Sequence, residues 1–216
     1  MPLLLPPWLD GLLLKASCPR CQRQTENRKL CISCRRSLGL EIEGSQGQWP
    51  LPWWALGSYE GGLRQQLLQL RKQNNQQLVQ ALGRQLHAQI PNLGVPLLVT
   101  AIPERRPRRG SMPWQLARAI ANAGGHKLIR ALERRRACLG QHHLNRKQRL
   151  SNLEGVFHCV VPAGQQLQPL LLVDDILTTG ATALAAMAAL EKAGHGLLGL
   201  ACIARTPAAK KQEWVG

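Results

Sequence analysis

Two adjacent carboxylates, Asp174 and Asp175, follow an apolar run directly in the stretch "LLLVDDILTTGAT". Vicinal carboxylates suit a diol or a hydrated Mg²⁺. The small residues after them predict a tight turn into a helix, where backbone N–H groups and the positive helix end favour a phosphate. The predicted phosphate turn comprises Thr178, Thr179, Gly180, Ala181 and Thr182. A ribose 5-phosphate carries both a diol and a phosphate, whereas the simpler alternative is a strand–turn–helix whose acids only face solvent.

Four cysteines near the N-terminus have the spacing of a metal site. Cys18, Cys21, Cys31 and Cys34 form two C-x₂-C pairs separated by nine residues. This pattern is typical of tetrahedral Zn²⁺, and a short segment with little core is stabilised by such an ion. Four protein ligands leave no open coordination position, so we expect a structural zinc. An iron site or redox-active dithiols are the alternatives.

Positive charge is concentrated between residues 105 and 149, which we call the basic belt: it holds thirteen Lys or Arg and one acid. The formal net charge of +16 favours an anionic partner. A loop after a neighbouring strand faces the same crevice, so Arg105 and Arg106 are predicted pyrophosphate contacts. The other cations predict a mobile lid, a track for a nucleic-acid backbone or a solvated loop. The predicted nucleic-acid contacts are Arg108, Arg109, Arg134, Arg135, Arg136, Arg146, Lys147 and Arg149.

The elements that must position these residues alternate between strand and helix patterns from residue 59 onward. This alternation predicts an α/β domain with a largely parallel sheet flanked by helices. We divide the chain into a four-cysteine module at 1–40, a linker rich in Trp, Pro and Gly at 41–58, and the α/β domain at 59–216. The tryptophans of the linker are expected to pack the module against the domain, with stacking of single-stranded bases as the alternative.

Length and composition agree with this division. A chain of 216 residues with 44% hydrophobic residues can build one domain and a small appendage. The apolar N-terminal segment lacks a basic region and a small-residue cleavage site, so we interpret it as a docking segment rather than a signal peptide. We expect no membrane span, because no run of 18 apolar residues occurs, and we expect a cytoplasmic location, where structural disulfides are rare.

The stretch at 174–182 resembles the signature of type I phosphoribosyltransferases: an apolar strand, two acids, two apolar residues and T-x-G-x-T. The resemblance implies that phosphoribosyl pyrophosphate is the ligand, with its ribose hydroxyls on Asp174 and Asp175 and its 5-phosphate on residues 178–182. It also implies that Mg²⁺ bridges the ribose and the pyrophosphate. Some members carry an acid that serves as general base where this chain has Thr178, so no base is identified in the turn.

The order of parts along nearly the whole chain is similar to the ComF (ComFC-like) family. The resemblance rests on the cysteine module, "YEGGLRQQLLQLRK", "AIPERRPRRG", "QHHLNRKQRLSNLEGVF" and "LLLVDDILTTGAT". It implies a role in natural transformation, with cytoplasmic handling of single-stranded DNA and DNA-uptake proteins as partners. An active phosphoribosyltransferase of nucleotide metabolism or salvage and a phosphoribosyl pyrophosphate-sensing regulator are the alternatives. The family's Phe-Asn pair is replaced at 111–114, where we assign no site role.

Overall fold

The computed structural model describes residues 16–40, 43–105, 110–135, 155–161 and 168–207. The described strands are β1 (Ser45–Gly47), β2 (Trp53–Ser58), β3 (Leu98–Ala101), β4 (Lys127–Leu128), β5 (Leu132–Arg134), β6 (Phe157–Cys159), β7 (Leu170–Leu177) and β8 (Leu197–Arg205). The described α-helices are α1 (Ile32–Leu38), α2 (Gly61–Lys72), α3 (Gln76–His87), α4 (Met112–Gly124) and α5 (Ala181–Lys192). Within these ranges, no helix has the length and apolar character needed to cross a membrane.

Six strands form one sheet in the order β1-β2-β8-β7-β3-β4. Every neighbouring pair is parallel except β1 and β2, which are antiparallel. Strands β5 and β6 form a separate antiparallel ribbon. Helices or the ribbon cover both faces of the sheet, so the predicted α/β class with a largely parallel sheet is confirmed.

Alternate side chains of β7 enter two different cores. Leu171 and Val173 pack with α2, α3 and α4 on one face of the sheet. Leu170 and Leu172 pack with α5 and the β5–β6 ribbon on the other. A parallel strand covered on both faces needs apolar residues at every position, which explains the unbroken "LLLV" run.

Leucines recur close to a helical period at 63, 67, 70, 78, 82 and 86, a pattern that predicts helix, but the segment forms two helices rather than one. Helix α2 ends at Lys72, and the side chain of Asn75 then accepts a hydrogen bond from the N–H of Leu78 at 3.0 Å. This bond caps α3, because it satisfies an N–H group that has no partner inside the helix. The leucines that follow the helical period are buried in one core, so the period continues across the break: Leu63, Leu67, Leu70, Leu78, Leu82 and Leu86.

The described part of the predicted linker contributes two strands to the sheet. Strand β2 pairs in parallel with β8 from Trp53 opposite Leu200 to Ser58 opposite Arg205. Trp54 is buried in the core and Trp53 is partly buried, as expected for packing, whereas Trp49 is 68% exposed. The Gly and Pro content suggested a flexible segment, but the short apolar run "WWAL" is enough to form a buried strand.

The four-cysteine module lies against α2 and α3. The Nε of Arg20 donates to Oε1 of Gln66 at 3.0 Å, and Nδ2 of Asn75 donates to the carbonyl of Pro19 at 3.2 Å. Helix α1 approaches α2 so closely that a Cβ added at Gly62 would lie 2.1 Å from the carbonyl oxygen of Ser37. The backbone of the module therefore fixes the position of the first turn of α2.

We expect Gly62→Ala to lower the free energy of unfolding. The added methyl group would clash with a backbone atom, and overpacking of this kind costs about 1–3 kcal/mol, whereas the gain in helix propensity is at most about 1 kcal/mol. Urea unfolding of both proteins measures the difference. Gly196→Ala is the matched control, because no atom lies within 4 Å of a Cβ placed there. Equal unfolding midpoints for Gly62→Ala and the unaltered protein would contradict the close contact between α1 and α2.

Candidate functional site

A crevice opens where β3 stops pairing with β7. Their pairing ends at Ala101 opposite Val173, after which the N–H of Ile102 donates to the Val173 carbonyl at 2.9 Å. Strand β7 continues along β8 to Leu177. The β3 side of Asp174, Asp175 and Ile176 therefore borders a cavity of about 1000 Å³. The sequence predicted that Asp174 and Asp175 follow the strand, but both lie within β7, beyond the end of its pairing with β3.

The cavity brings together predicted residues from three elements. Asp174 and Asp175 line it from β7, and Arg105 lines it from the loop after β3. Thr178 and Thr182 line it from the predicted phosphate turn and the first turn of α5. Carboxylates, hydroxyl groups and a guanidinium thus border one space, and this combination can bind a ligand that carries both hydroxyl groups and phosphate.

The phosphate turn needs glycine at its centre. Gly180 has a φ of +80°, and a Cβ at this position would lie 2.1 Å from Cγ of Pro50. Helix α5 begins at the next residue, Ala181, whose N–H contacts Oγ1 of Thr179 at 3.4 Å. The turn therefore places the N-terminal end of a twelve-residue helix beside the cavity, and the helix dipole favours an anion at that end.

Arg205, at the end of β8, holds the other side of this turn. Its NH1 donates to the carbonyl of Leu177 at 3.2 Å and also to the carbonyl of Thr178. The guanidinium lies over the ring of Trp53 with 5.6 Å to the centroid. The carbonyl groups of Leu177 and Thr178 are thereby satisfied, and that of Leu177 also accepts from the N–H of Thr206 at 2.9 Å.

The two aspartates have different environments. Asp175 is buried and forms an ion pair with Arg71, whose NH2 lies 2.6 Å and whose Nε lies 2.8 Å from Oδ2 of Asp175. Burial opposes the charge of Arg71, but the carboxylate of Asp175 outweighs it and raises the pKa of Arg71. Burial, and then the neighbouring Asp175 carboxylate, raise the pKa of Asp174 well above its ordinary value. A cation or a hydrogen-bond donor beside Asp174 would favour its charged form and so oppose this shift.

Two neighbouring arginines of the basic belt separate in the fold. Arg134 lines the main cavity, donates from Nε to the Pro103 carbonyl at 3.4 Å and lies 4.7 Å from the ring centroid of Phe157. Arg135 instead borders a second cavity of about 640 Å³ between the β5–β6 ribbon and α5. Successive residues of a strand point to opposite faces, so a run of arginines cannot serve a single site. The remaining predicted contacts lie outside the described residues: Arg106, Arg108, Arg109, Arg136, Arg146, Lys147 and Arg149.

Several lining residues were not predicted from the sequence. The cavity is also lined by Tyr59, which directly follows β2, and by Arg71 and Lys72 of α2. On another side it is lined by Ser111 and Met112 at the start of α4. Arg71 lies within "YEGGLRQQLLQLRK", a stretch that supported the family resemblance without a role for any residue. Its position on the last turn of α2, just after the buried Leu70, was the available signal that it could turn toward the sheet.

The four cysteines of the module meet at one point. Their sulfur atoms all lie within 4.8 Å of one another, and the sulfurs of Cys21 and Cys31 are 3.6 Å apart. Thiolates about 2.3 Å from a tetrahedral Zn²⁺ would lie about 3.8 Å from one another. The backbone N–H of Cys31 contacts the sulfur of Cys18 at 3.5 Å, and the N–H of Cys34 contacts the sulfur of Cys31 at 3.4 Å. This arrangement could bind a zinc ion and leaves no coordination position for a substrate.

Two of these thiols have opposite tendencies to ionise. Burial works against the thiolate of Cys18, but N–H donors from Cys31, Cys21 and Arg20 together lower its pKa to about 6. Burial, and then the nearby sulfurs of Cys21 and Cys31, raise the pKa of Cys34 to about 12. A bound cation would supply the positive charge that Cys34 needs to ionise, which makes the donor set suited to a metal.

Comparison with known proteins identifies similarity to parts of two solved structures. One is described as the allosteric regulatory enzyme of purine biosynthesis; it is 20% identical, with a TM-score of 0.39, and the match covers 61% of this chain and 26% of that one. The other is glutamine phosphoribosylpyrophosphate amidotransferase from B. subtilis complexed with ADP and GMP, with 18% identity, a TM-score of 0.40 and coverage of 60% and 26%. This chain thus spans about a quarter of each. No family model and no curated protein matches the chain.

We expect the purified protein to hold one Zn²⁺ per chain and Cys31→Ala to hold much less. Three remaining thiolates bind zinc less tightly, and the module then loses part of its folding energy. Metal analysis of the dialysed proteins measures the ratio. Cys159→Ala is the matched control, because Cys159 lies on β6 and is not among the four clustered cysteines. A zinc content that is equally low in the unaltered protein would contradict the assignment, as would iron in place of zinc.

Proposed function

We propose that the protein binds phosphoribosyl pyrophosphate, with Mg²⁺, in the cavity at the end of the β3–β7 pairing. The observation that carries the proposal is the meeting of two vicinal carboxylates with the phosphate turn at the mouth of one cavity. The resemblance of residues 174–182 to the type I phosphoribosyltransferase signature supports the same ligand. This assignment also proposes a phosphoribosyltransferase-like domain that comprises the predicted 59–216 unit together with β1 and β2 of the linker, preceded by the module at 1–40.

Each group has a distinct proposed role. Asp174 and Asp175 would accept hydrogen bonds from the two ribose hydroxyls, and residues 178–182 would donate to the 5-phosphate. Arg105 would contact the pyrophosphate from the opposite wall of the cavity, with Arg106 beside it in the chain. Since the ligand is strongly anionic, two carboxylates alone would repel it, so these cations are needed to balance its charge.

The carboxylates also fit Mg²⁺, which prefers oxygen ligands and keeps several waters. Asp174 and Asp175 would hold the ion or its waters, and the ion would supply positive charge to the leaving pyrophosphate. The chain itself would orient the ribose through the carboxylates and hold the 5-phosphate at the start of α5. Oriented in this way, the ribose C1 would be presented to the remaining space of the cavity.

Transfer of the ribosyl group to an acceptor is the second candidate function. It would require a nucleophile to displace pyrophosphate from ribose C1 and a group to take up the proton of that nucleophile. The phosphate turn offers Thr178 where some relatives have an acid, but Glu104, on the loop after β3, lines the same cavity. This carboxylate is the proposed proton acceptor, and release of pyrophosphate by the unaltered protein but not by Glu104→Gln would support an active transferase.

We expect isothermal titration to detect binding of phosphoribosyl pyrophosphate with Mg²⁺ to the unaltered protein. The double variant Asp174→Asn/Asp175→Asn should bind at least about 100-fold more weakly, because two charge-assisted hydrogen bonds of about 1.5–3 kcal/mol each are lost. Glu191→Gln removes a carboxylate of α5 that does not line the cavity and is the matched control. Equal affinity in the double variant and the unaltered protein would place the ligand elsewhere.

We further propose that the protein belongs with the ComF family and serves natural transformation on the cytoplasmic side, in contact with single-stranded DNA and DNA-uptake proteins. The order of motifs along the chain supports this role, as does the net charge of +16. Cations also cover the described module, where Arg23, Arg28, Lys29 and Arg36 are exposed. The alternative, a regulator that senses phosphoribosyl pyrophosphate, would bind it in the same site. Binding of phosphoribosyl pyrophosphate would then change the affinity of this protein for a partner.

Single-stranded DNA should bind at low salt, and the affinity should fall by roughly 300-fold between about 50 and 200 mM salt if about six phosphates of the strand are neutralised. Replacement of Arg146, Lys147 and Arg149 by glutamine should weaken binding and reduce the salt dependence. Fluorescence anisotropy with a labelled oligonucleotide measures both quantities.

The matched control for this experiment removes three exposed cations outside both the basic belt and the module: Arg64, Arg84 and Lys192. The two triple variants have the same net charge, so a difference between them reports the location of the charge rather than its amount. If no single-stranded DNA binds at low salt, direct DNA contact is excluded, and the role in transformation would have to depend on a protein partner.

A further inference from the structure

We propose that Arg71, on the last turn of α2, is a positioning residue that orients Asp175 toward the ribose hydroxyls. This inference rests on the proposed function. It assigns a role to α2, which lies far from the two aspartates in the chain: Arg71 and Asp175 are 104 residues apart.

The geometry of the pair leaves room for a ligand on the carboxylate. NH2 and Nε of Arg71 both contact the same oxygen, Oδ2 of Asp175, at 2.6 and 2.8 Å. A carboxylate offers about four lone-pair sites on its two oxygens, so this contact fixes the rotation of the group without using all of its acceptor capacity. The carboxylate is therefore held in one orientation while it can still accept from a hydroxyl group.

The exposure of the two side chains differs in the way that this role requires. The side chain of Asp175 is 7% exposed, whereas that of Arg71 is 46% exposed. A carboxylate with so little contact with water loses much of its hydration, and an unpaired one would be costly. Arg71 supplies the opposite charge that a buried carboxylate needs, so Asp175 is shielded from water and can still accept from a hydroxyl group.

Helix α2 is itself fixed in place, so Arg71 arrives at a defined point. Its buried leucines, Leu63, Leu67 and Leu70, pack into the core. At the opposite end, Gly62 lies against the backbone of Ser37 in the module. Since Arg71 directly follows Leu70, the packing of that leucine decides where the guanidinium can reach.

Two observations favour positioning over direct phosphate contact. The Nε–NH2 edge of the guanidinium, which would otherwise bind a phosphate with two parallel bonds, is already used by Asp175. Arg71 also lies at the C-terminal end of α2, where the helix dipole is negative and repels phosphate. The expected consequence of its loss is therefore weaker binding of the ribose and not of phosphate groups.

The test compares three probes, each with Mg²⁺: ribose 5-phosphate, phosphoribosyl pyrophosphate and inorganic pyrophosphate. Arg71→Met should weaken both ribose-containing ligands by the same factor of at least about tenfold, the size expected for one charge-assisted hydrogen bond. Pyrophosphate affinity should remain within about twofold. Arg71→Lys should recover part of the loss, because an ammonium keeps the charge but not the two-point contact.

Arg64→Met is the matched control, since it removes an exposed arginine from the same helix at a position that does not line the cavity. A double-variant cycle supplies an independent readout. If Arg71 acts through Asp175, then Arg71→Met/Asp175→Asn should bind ribose 5-phosphate no more weakly than Asp175→Asn alone. This comparison remains valid if Arg71→Met lowers stability, as long as unfolding curves show that both proteins are fully folded at the assay temperature.

Three results would overturn the inference. Unchanged ribose 5-phosphate affinity in Arg71→Met would mean that Asp175 does not need the pair. A loss that includes pyrophosphate would make Arg71 a direct phosphate contact, and an additional loss in the double variant would show that it acts independently of Asp175. If the unaltered protein binds neither ribose-containing ligand, the proposed function itself is wrong. If the unaltered protein binds them and Arg71→Met binds them equally well, only the inference about Arg71 is wrong.

Discussion

The unequal length of neighbouring strands is the constraint on which the candidate site depends. Strand β3 contributes four residues, whereas β7 contributes eight and β8 nine. A parallel sheet whose strands ended together would bury the backbone of β7 along its whole length. Because β3 ends at Ala101, residues 174–176 keep one neighbouring strand, β8, on one side and face the cavity on the other. The carboxylates are thus carried by a strand that is held rigidly yet is accessible along one edge.

The site also depends on parts of the chain that lie far from its motif. Arg205 from β8 secures the phosphate turn, Pro50 fills the space beside Gly180, and Arg71 from α2 pairs with Asp175. None of these residues belongs to the stretch "LLLVDDILTTGAT". A functional turn of this kind is formed by local sequence, but its conformation is maintained by contacts with other elements.

Local patterns were sufficient to predict much of this molecule. The alternation of strands and helices predicted the α/β class, and C-x₂-C spacing predicted that four cysteines would cluster. Both depend on short-range periodicity or on one chemical requirement. The helix break near Asn75 was missed because the leucine period continues through it, so the hydrophobic pattern contained no signal other than the polar run "KQNN".

Long-range pairings could not be predicted in the same way. The Arg71–Asp175 pair joins residues whose local sequences are ordinary, and only the packing of α2 beside β7 brings them together. The separation of Arg134 and Arg135 depends on which face of the β5–β6 ribbon each side chain occupies, and a run of consecutive arginines carries no such information. The density of Lys and Arg in the basic belt indicated an anionic ligand, but it did not indicate which of these side chains would contact the ligand.

The position of β2 has a consequence for the physical boundary of the domain. This strand precedes Tyr59, where the helical pattern begins, yet it supplies the parallel neighbour of β8 at five aligned positions: Trp53, Trp54, Ala55, Gly57 and Ser58. A shortened chain that began at Tyr59 would present the N–H and C=O groups of β8 as an open, apolar edge, and such edges pair with other chains. The smallest piece able to fold without self-association therefore begins before residue 53, inside the segment whose composition resembles a linker.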